Sequence, residues 1–270
     1  MRENWFLLGD IHGNAAPVAF FYKKNRRRCK FDRTRNYMIL LGDVGANYDL
    51  GSQRDKEFKT VLSAYPFTYL CLRGNHEARV LNAIKRNPDG WKSRHKYGGI
   101  IYVEQEFPQI EYLSDAPAVY WFAGYKTLCI PGAYSVDKWY RLSRGWIWYA
   151  DEQLTEEEME LGRQLKERQQ PFDLVLSHTC PIAYEPQDLF LAGVDQSMVD
   201  KTMEHYLGEL EFDLNYKRWA WGHFHADRLY PPKDGRRMMM LFNRNVVDLR
   251  RFMEMQEDDG WREIGVEEYY

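Results

Sequence analysis

A layered α/β architecture follows from the way the chain's apolar runs are written. Short stretches rich in β-branched and aromatic residues recur at 5–8, 37–41, 67–72, 174–176 and 219–221. They are continuous rather than alternating, the pattern of strands covered on both faces. Helix-like segments lie between them, and strands alternating with helices pack as layers.

The elements are justified one by one. A helix is expected after Asn14, where the first strand has ended. A second is expected over 55–64. A third spans 155–169, where Thr155 followed by Glu158 forms a capping box and acidic residues fill the first turn. A fourth is expected over 197–210. The runs 118–122 and 126–130 flank Gly124 and Tyr125 and read as a hairpin, so the sheet system is not purely parallel. From Asp248 onward the chain is acidic and aromatic without a period, read as a short helix or an edge extension. One domain over 1–270 is expected, with a motif core at 5–230 and C-terminal strands and tail at 231–270.

Composition narrows the class. The 270 residues are 44% hydrophobic and 16% aromatic, enough for a packed core and unlike a disordered chain. There are 37 basic against 40 acidic residues, for a net charge of -3, which is not a polycation built to hold nucleic acid through its phosphates. Arg26, Arg27 and Arg28 read as a solvated helix end. No apolar run reaches the roughly 18 residues of a membrane span, and the N-terminal apolar stretch is too short for a signal peptide. Cys29, Cys71, Cys129 and Cys180 form no CxxC pair and read as reduced, buried thiols, so a cytoplasmic location is expected.

The most informative residues stand where the strands end. The first run ends in Gly9-Asp10-Ile11-His12-Gly13-Asn14, the second in Gly42-Asp43 and the third in Arg73-Gly74-Asn75-His76-Glu77. The fourth ends in Ser177-His178 and the fifth in Gly222-His223-Phe224-His225. Ligands of open α/β sheets bind beyond the carboxyl ends of strands. Asp10, His12, Asp43, Asn75, His76, His178, His223 and His225 should therefore meet at one rim. Five of the seven histidines are in this set, leaving only His95 and His205 elsewhere. Imidazole with carboxylate suits Mn²⁺, Fe, Zn²⁺ or Ni²⁺, and the absence of thiolate argues against a structural zinc. Two crowded dications repel, and Asp43, alone at its strand end, is the natural bridge between them.

In order and combination, Gly-Asp-x-His-Gly, Gly-Asp, Gly-Asn-His-Glu, a strand-end His and Gly-His-x-His resemble the calcineurin-like metallophosphoesterase superfamily. Residues 72–77 are similar to its phosphoprotein phosphatase branch. Gly222-His223-Phe224-His225, with Gly132-Ala133-Tyr134-Ser135-Val136-Asp137 before a Trp-rich stretch, look more like its small bacterial and phage members. The resemblance implies a four-layer α/β/β/α sandwich of two mixed sheets flanked by helices. It also implies a dinuclear centre, with manganese the expected metal. Asp10, His12 and His225 would hold one ion and Asn75, His178 and His223 the other, with Asp43 bridging. His76 matches the histidine beside the leaving-group oxygen. The implied reaction is hydrolysis of phosphate mono- or diesters by attack of a hydroxide held between the metals. A phosphorylated small molecule, a nucleotide or a phosphoprotein would be the substrate; a nuclease acting on nucleic-acid ends and a non-catalytic scaffold are the alternatives.

The chain departs from the phosphoprotein branch after Asp43. Ala46 stands where that branch has the Asp that orients the catalytic histidine, and Asn47 where it has a phosphate-gripping Arg. Another cation must do the gripping, and Arg73, Arg141 and Arg144, with Asn47 itself, are the expected substrate contacts. The stretch 138–149 mixes cations with aromatics and reads either as a packed cluster or as a rim able to stack a ring. Glu77 is expected to serve structure rather than chemistry. The basic segment 79–96 has no assigned role.

Overall fold

The computed structural model describes residues 3–29 and 32–268; the two residues at each end of the expected 1–270 span lie outside the described residues. Along the chain run β1 (Asn4–Leu8), α1 (Ala16–Asn25), β2 (Asn36–Leu40), α2 (Gln53–Leu62), β3 (Thr68–Cys71), α3 (Val80–Arg86), β4 (Trp91–Lys96), β5 (Gly99–Glu104), β6 (Ile110–Tyr112), β7 (Ala118–Phe122) and β8 (Tyr125–Ile130). There follow α4 (Lys138–Ser143), α5 (Glu156–Gln169), β9 (Leu174–Ser177), α6 (Thr202–Asp213), β10 (Arg218–Trp221), β11 (Arg228–Leu229), β12 (Arg237–Met240), β13 (Asn245–Asp248), α7 (Leu249–Glu254), α8 (Trp261–Ile264) and β14 (Gly265–Glu268).

The strands form two mixed sheets, ordered β14-β13-β1-β2-β3-β6-β5-β4 and β11-β12-β10-β9-β8-β7. The middle of each is parallel: β1, β2, β3 and β6 in one, and β8, β9, β10 and β12 in the other. The expected hairpin is the antiparallel pair β7 and β8.

Strand side chains alternate between two apolar layers, which explains the continuous runs. Leu7, Ile39 and Leu70 meet Leu174, Leu176 and Ala220 between the sheets. Their neighbours Phe6, Leu8, Met38, Leu40 and Tyr69 face Val18 and Phe21 of α1 and Phe58 and Leu62 of α2. On the far side, Val175, Trp219 and Trp221 pack on Met159 of α5 and on Met203, Tyr206, Leu207 and Leu210 of α6. Two sheets flanked by helices on both outer faces result.

Local chemistry sets the helix starts. Ser52 accepts from the Asp55 N–H, so α2 begins at Gln53, ahead of the expected 55. The capping box of Thr155 and Glu158 opens α5. α6 starts at Thr202 rather than 197, because the Asp195 side chain closes a separate turn and Asp200 accepts from the Thr202 N–H. The tail is both things expected of it: α7, then β14 at the sheet edge. The β4–β5 hairpin has no counterpart in the apolar pattern, because β4 is polar and mostly exposed, as an edge strand should be. All four cysteines are buried and unpaired. Among the described residues no helix is long and apolar enough to cross a membrane.

One buried carboxyl away from the strand ends has a predictable signature. Glu204 on α6 accepts a hydrogen bond from the Thr179 hydroxyl at 2.6 Å, and burial pushes its carboxyl up from 4.5 to about 7. A raised native value means the folded state holds the proton that the unfolded chain releases, so this contribution to stability is lost as pH rises from about 4.5 to about 7. Thermal melting of metal-stripped Glu204→Gln should show a midpoint advantage over wild type that grows across that window and levels off above it. A constant difference between pH 5 and 8 would contradict this.

Candidate metal centre

Because the central strands of each sheet are parallel, their carboxyl ends open on one side. Asp10 and His12 follow β1, Asp43 follows β2, and Asn75 and His76 follow β3; His178 follows β9, and His223 and His225 follow β10. Two sheets thus contribute to one cluster, and the tight turns that hold it are strained. Among the described residues eight non-glycine residues have positive φ, and His12, Asp43, His223 and His225 are four of them. Gly74 shows why the small neighbours are needed: a Cβ there would sit 2.0 Å from Asp43 Oδ1.

Asp10, His12 and His225 form the first group, each offering a ligand atom within 4.8 Å of the others. His12 Nε2 and His225 Nε2 face each other at 2.8 Å, and His225 Nε2 lies 3.6 Å from Asp10 Oδ2. Asp10 Oδ2 accepts from the His223 N–H at 2.8 Å, whereas Oδ1 is buried with no hydrogen-bond partner.

Asn75, His178 and His223 form the second. His178 Nδ1 donates to the Leu41 carbonyl at 2.7 Å, because a carbonyl only accepts. That fixes the tautomer and leaves a lone pair on Nε2 of the neutral ring. Nε2 faces Asn75 Oδ1 at 2.9 Å, and His223 Nδ1 approaches the same oxygen at 3.2 Å. The Asn75 amide is turned this way by its N–H bond to Ser135 Oγ at 2.8 Å, and Glu152 holds Ser135 by accepting its main-chain N–H at 3.0 Å. Asp43 stands beside this group, with Oδ1 3.7 Å from His178 Nε2 and Oδ2 3.8 Å from His76 Nε2.

Electrostatics agree with the geometry. Burial, reinforced by the Asp43 carboxylate, pushes Asp10 well above the ordinary carboxylate range. Burial lowers His12 and His178, takes His223 well below its usual value and brings His225 down to about 4. These rings are therefore neutral near pH 7, the state in which imidazole ligates. Acceptor faces acceptor at Asn75 and His178, an orphaned carboxylate oxygen points into the cluster, and the cluster holds two buried carboxyl groups. Divalent cations resolve each of these conflicts, and the nitrogen and oxygen donors suit them.

His76 is tethered through its N–H to Asp43 Oδ1 at 2.9 Å. Its Nε2 faces both that carboxylate, at 3.8 Å, and Asp137, whose Oδ1 is 3.9 Å away and otherwise lacks a hydrogen-bond partner. Residue 46 is a buried alanine, so the carboxylate facing the ring comes instead from the loop before α4. Sequence reasoning missed Asp137 in this role; the quoted segment 132–137 was the available signal. Glu77 accepts the main-chain N–H groups of Gly45 and Gly74, a structural task.

The expected substrate contacts separate. Arg73 is buried; its guanidinium donates to the Glu152 carbonyl at 2.7 Å and pairs with Asp115 at 3.4 Å. Asn47 is buried and donates to the Ala78 carbonyl at 3.0 Å. Arg144, at the end of α4, lies over the Tyr140 ring. None of these three lines the cavity of about 650 Å³ that opens beside the cluster. Arg141 does, together with His12, Asp43, His76, Tyr48, Arg54 and Trp146. It donates to the Tyr48 hydroxyl at 3.0 Å and the Ile147 carbonyl at 3.0 Å. Arg54, which sequence reasoning did not single out, lies 4.7 Å over the Tyr48 ring. In the stretch 138–149, Trp139, Tyr140 and Trp146 are at least half exposed, and Arg141 and Trp146 line the cavity. The segment 79–96 turns elsewhere: Arg79 pairs with Glu158, and β4 lies at the sheet edge.

Comparison with known proteins agrees with this geometry. A family model described as calcineurin-like phosphoesterase matches residues 6–227, and the chain belongs to that family of dinuclear metal-dependent phosphoesterases. No curated protein sequence matches significantly. Among solved structures, the protein TT1561 of Thermus thermophilus is similar over 93% of this chain and 96% of its own, at 12% identity and a TM-score of 0.51. A dimetal phosphatase from Danio rerio is similar over 91% of this chain and 94% of its own, at 10% identity and a TM-score of 0.44. A 5'-nucleotidase from Candida albicans is similar over 91% of this chain and 47% of its own, at 13% identity and a TM-score of 0.45.

Asp43→Asn removes a buried charge beside the second group. After stripping and reloading with Mn²⁺, elemental analysis of this variant should find fewer ions per chain than in wild type. Equal, tightly held stoichiometry in both would refute a bridging role.

Proposed function

We propose that the chain hydrolyses phosphate mono- or diesters with two divalent ions, manganese the expected metal and iron, zinc or nickel accepted by the same donors. In this reading Asp10, His12 and His225 hold one ion and Asn75, His178 and His223 the other, with Asp43 shared. The observation that supports it is the convergence of imidazole, carboxylate and amide-oxygen donors from five strand ends in two neighbouring groups, with Asp43 and His76 beside them. When bound, the ions supply Lewis acidity that acidifies a water and neutralises charge building on the phosphoryl oxygens.

The protein's own residues do the rest. Water adds to phosphorus, the P–O bond to the leaving group breaks, and that oxygen needs a proton. His76 lies where it can deliver one, a role worth about 10²- to 10⁴-fold in rate. Asp137 is a positioning residue that keeps the ring aimed, in place of the carboxylate lost at Ala46. Arg141, braced by Tyr48 and Ile147, faces the reacting group from the cavity wall. Four unpaired thiols fit a reducing, cytoplasmic setting. The balanced charge of -3 disfavours long nucleic acid as substrate.

The test is a panel of phosphate esters assayed with Mn²⁺ after metal removal. Turnover of 4-nitrophenyl phosphate or its bis-ester that disappears on stripping and returns on reloading supports the reading; metal without turnover would leave a scaffold. Within that panel, His76→Ala should lose at least about tenfold more activity on an alkyl ester than on a nitrophenyl ester, whose leaving group needs no proton. Asp137→Asn should show the same leaving-group pattern at smaller size, in kcat with KM unchanged. Equal losses on both esters would remove the general-acid role.

A further inference from the structure

The metal-ligand cluster is the partition between two cavities of opposite character. The first, already described, has Arg54 and Arg141 around Tyr48, with Trp146 at its mouth. The second, about 460 Å³, opens on the other side and shares only Asp43 and His76 with the first. Its metal-side wall includes Asn75, His223 and His225. Its outer wall is hydrocarbon: Val136, Leu189, Phe190, Leu191, Val194 and Phe224.

Charge in the second cavity is of one sign and mostly engaged. No Lys or Arg is among its lining residues. Glu185 is neutralised by Lys201 at 2.7 Å, Glu204 is buried against Thr179, and Asp200 accepts from Thr202 and Gln153. Such a wall repels a second anion and rewards an uncharged, apolar group. Leu189 and Leu191 are 40% and 62% exposed at its edge, apolar surface without a covering element. The first cavity differs: beside Glu57 and Glu77 it carries Arg54 and Arg141, with the exposed Trp146 ring able to stack a base or ring and the guanidiniums able to bind acceptor-rich groups.

We propose that the substrate is an asymmetric phosphodiester: one arm carries a flat, acceptor-rich ring system into the Tyr48–Arg54–Trp146 cavity, and the other is a hydrocarbon chain lying along Leu189, Phe190 and Leu191. The phosphate between them sits at the shared Asp43–His76 boundary. A monoester leaves one cavity empty, whereas a diester fills both. This rests on the phosphoesterase reading and adds the substrate class to it.

The probes are the methyl and octyl esters of adenosine 5'-monophosphate, with bis(4-nitrophenyl) phosphate as the reference for bare activity. For the Mn²⁺-loaded enzyme, kcat/KM should be at least tenfold higher for the octyl than for the methyl ester. Leu191→Asp and Leu189→Asp, both at exposed positions that tolerate a carboxylate, should each bring the octyl-to-methyl ratio close to one. Arg54→Ala should raise KM for both adenosine esters and leave their ratio as in wild type. Activity on the bis-ester together with a wild-type ratio near one, or a ratio unmoved by both Asp variants, would overturn the inference while sparing the phosphoesterase reading. No turnover of any of the three esters would strike down both.

Discussion

Two buried carboxyl groups, Asp10 and Asp43, belong to one cluster of donor atoms, and the surrounding structure is arranged around that cost. Buried anions without counter-charge are unfavourable by several kcal/mol each. The nearest nitrogens are the main-chain N–H groups of His76 and His223, which donate to Asp43 Oδ1 and Asp10 Oδ2 and carry no formal charge. The His178 N–H is spent on the Leu41 carbonyl, leaving its lone pair aimed at the Asn75 oxygen. Divalent cations remove all of these conflicts together. Metal loading and stability should therefore be linked in this chain.

The sheets make such a concentration of acceptors possible. Parallel strands end on a common side, and the apolar layer between Leu7, Ile39, Leu70, Leu174 and Leu176 holds the two sheets in fixed register. Turns at those ends adopt left-handed backbone at histidine and aspartate, a cost borne by the packing beneath them. Residues behind the cluster complete the arrangement: Ser135 and Glu152 turn Asn75, and Glu77 fastens two glycine turns. None of these touches a reacting group, yet each sets where a donor atom points.

The two cavities differ in lining for a similar reason. Arg141 reaches the cavity from a helix that the sheets do not constrain, and Tyr48 meets it from the loop after β2. Across the partition, the segment between β9 and α6 contributes an apolar wall. Strand ends thus hold the cluster, and loops of different composition line the cavities on either side of it.

Much of this was legible in the residues. Continuous apolar runs identified the covered strands, Thr155 and Glu158 the start of α5, and the polar strand-end motifs the residues that meet. A motif is local, and its residues sit at strand ends whatever lies beyond them. Other features were not legible. The β4–β5 hairpin carries no apolar face, so periodicity is blind to it. Arg73 stands within a metal motif yet turns inward to Glu152 and Asp115, while Arg141, far along the chain, turns toward the centre. Asp137 faces His76 from a loop more than fifty residues away, and no spacing rule links them. The chain alone determined the fold class and the set of donor atoms, because both depend on neighbours in sequence. Only tertiary structure decided which cations, carboxylates and apolar side chains surround those donors, because that depends on how separate loops pack across the edge of two sheets.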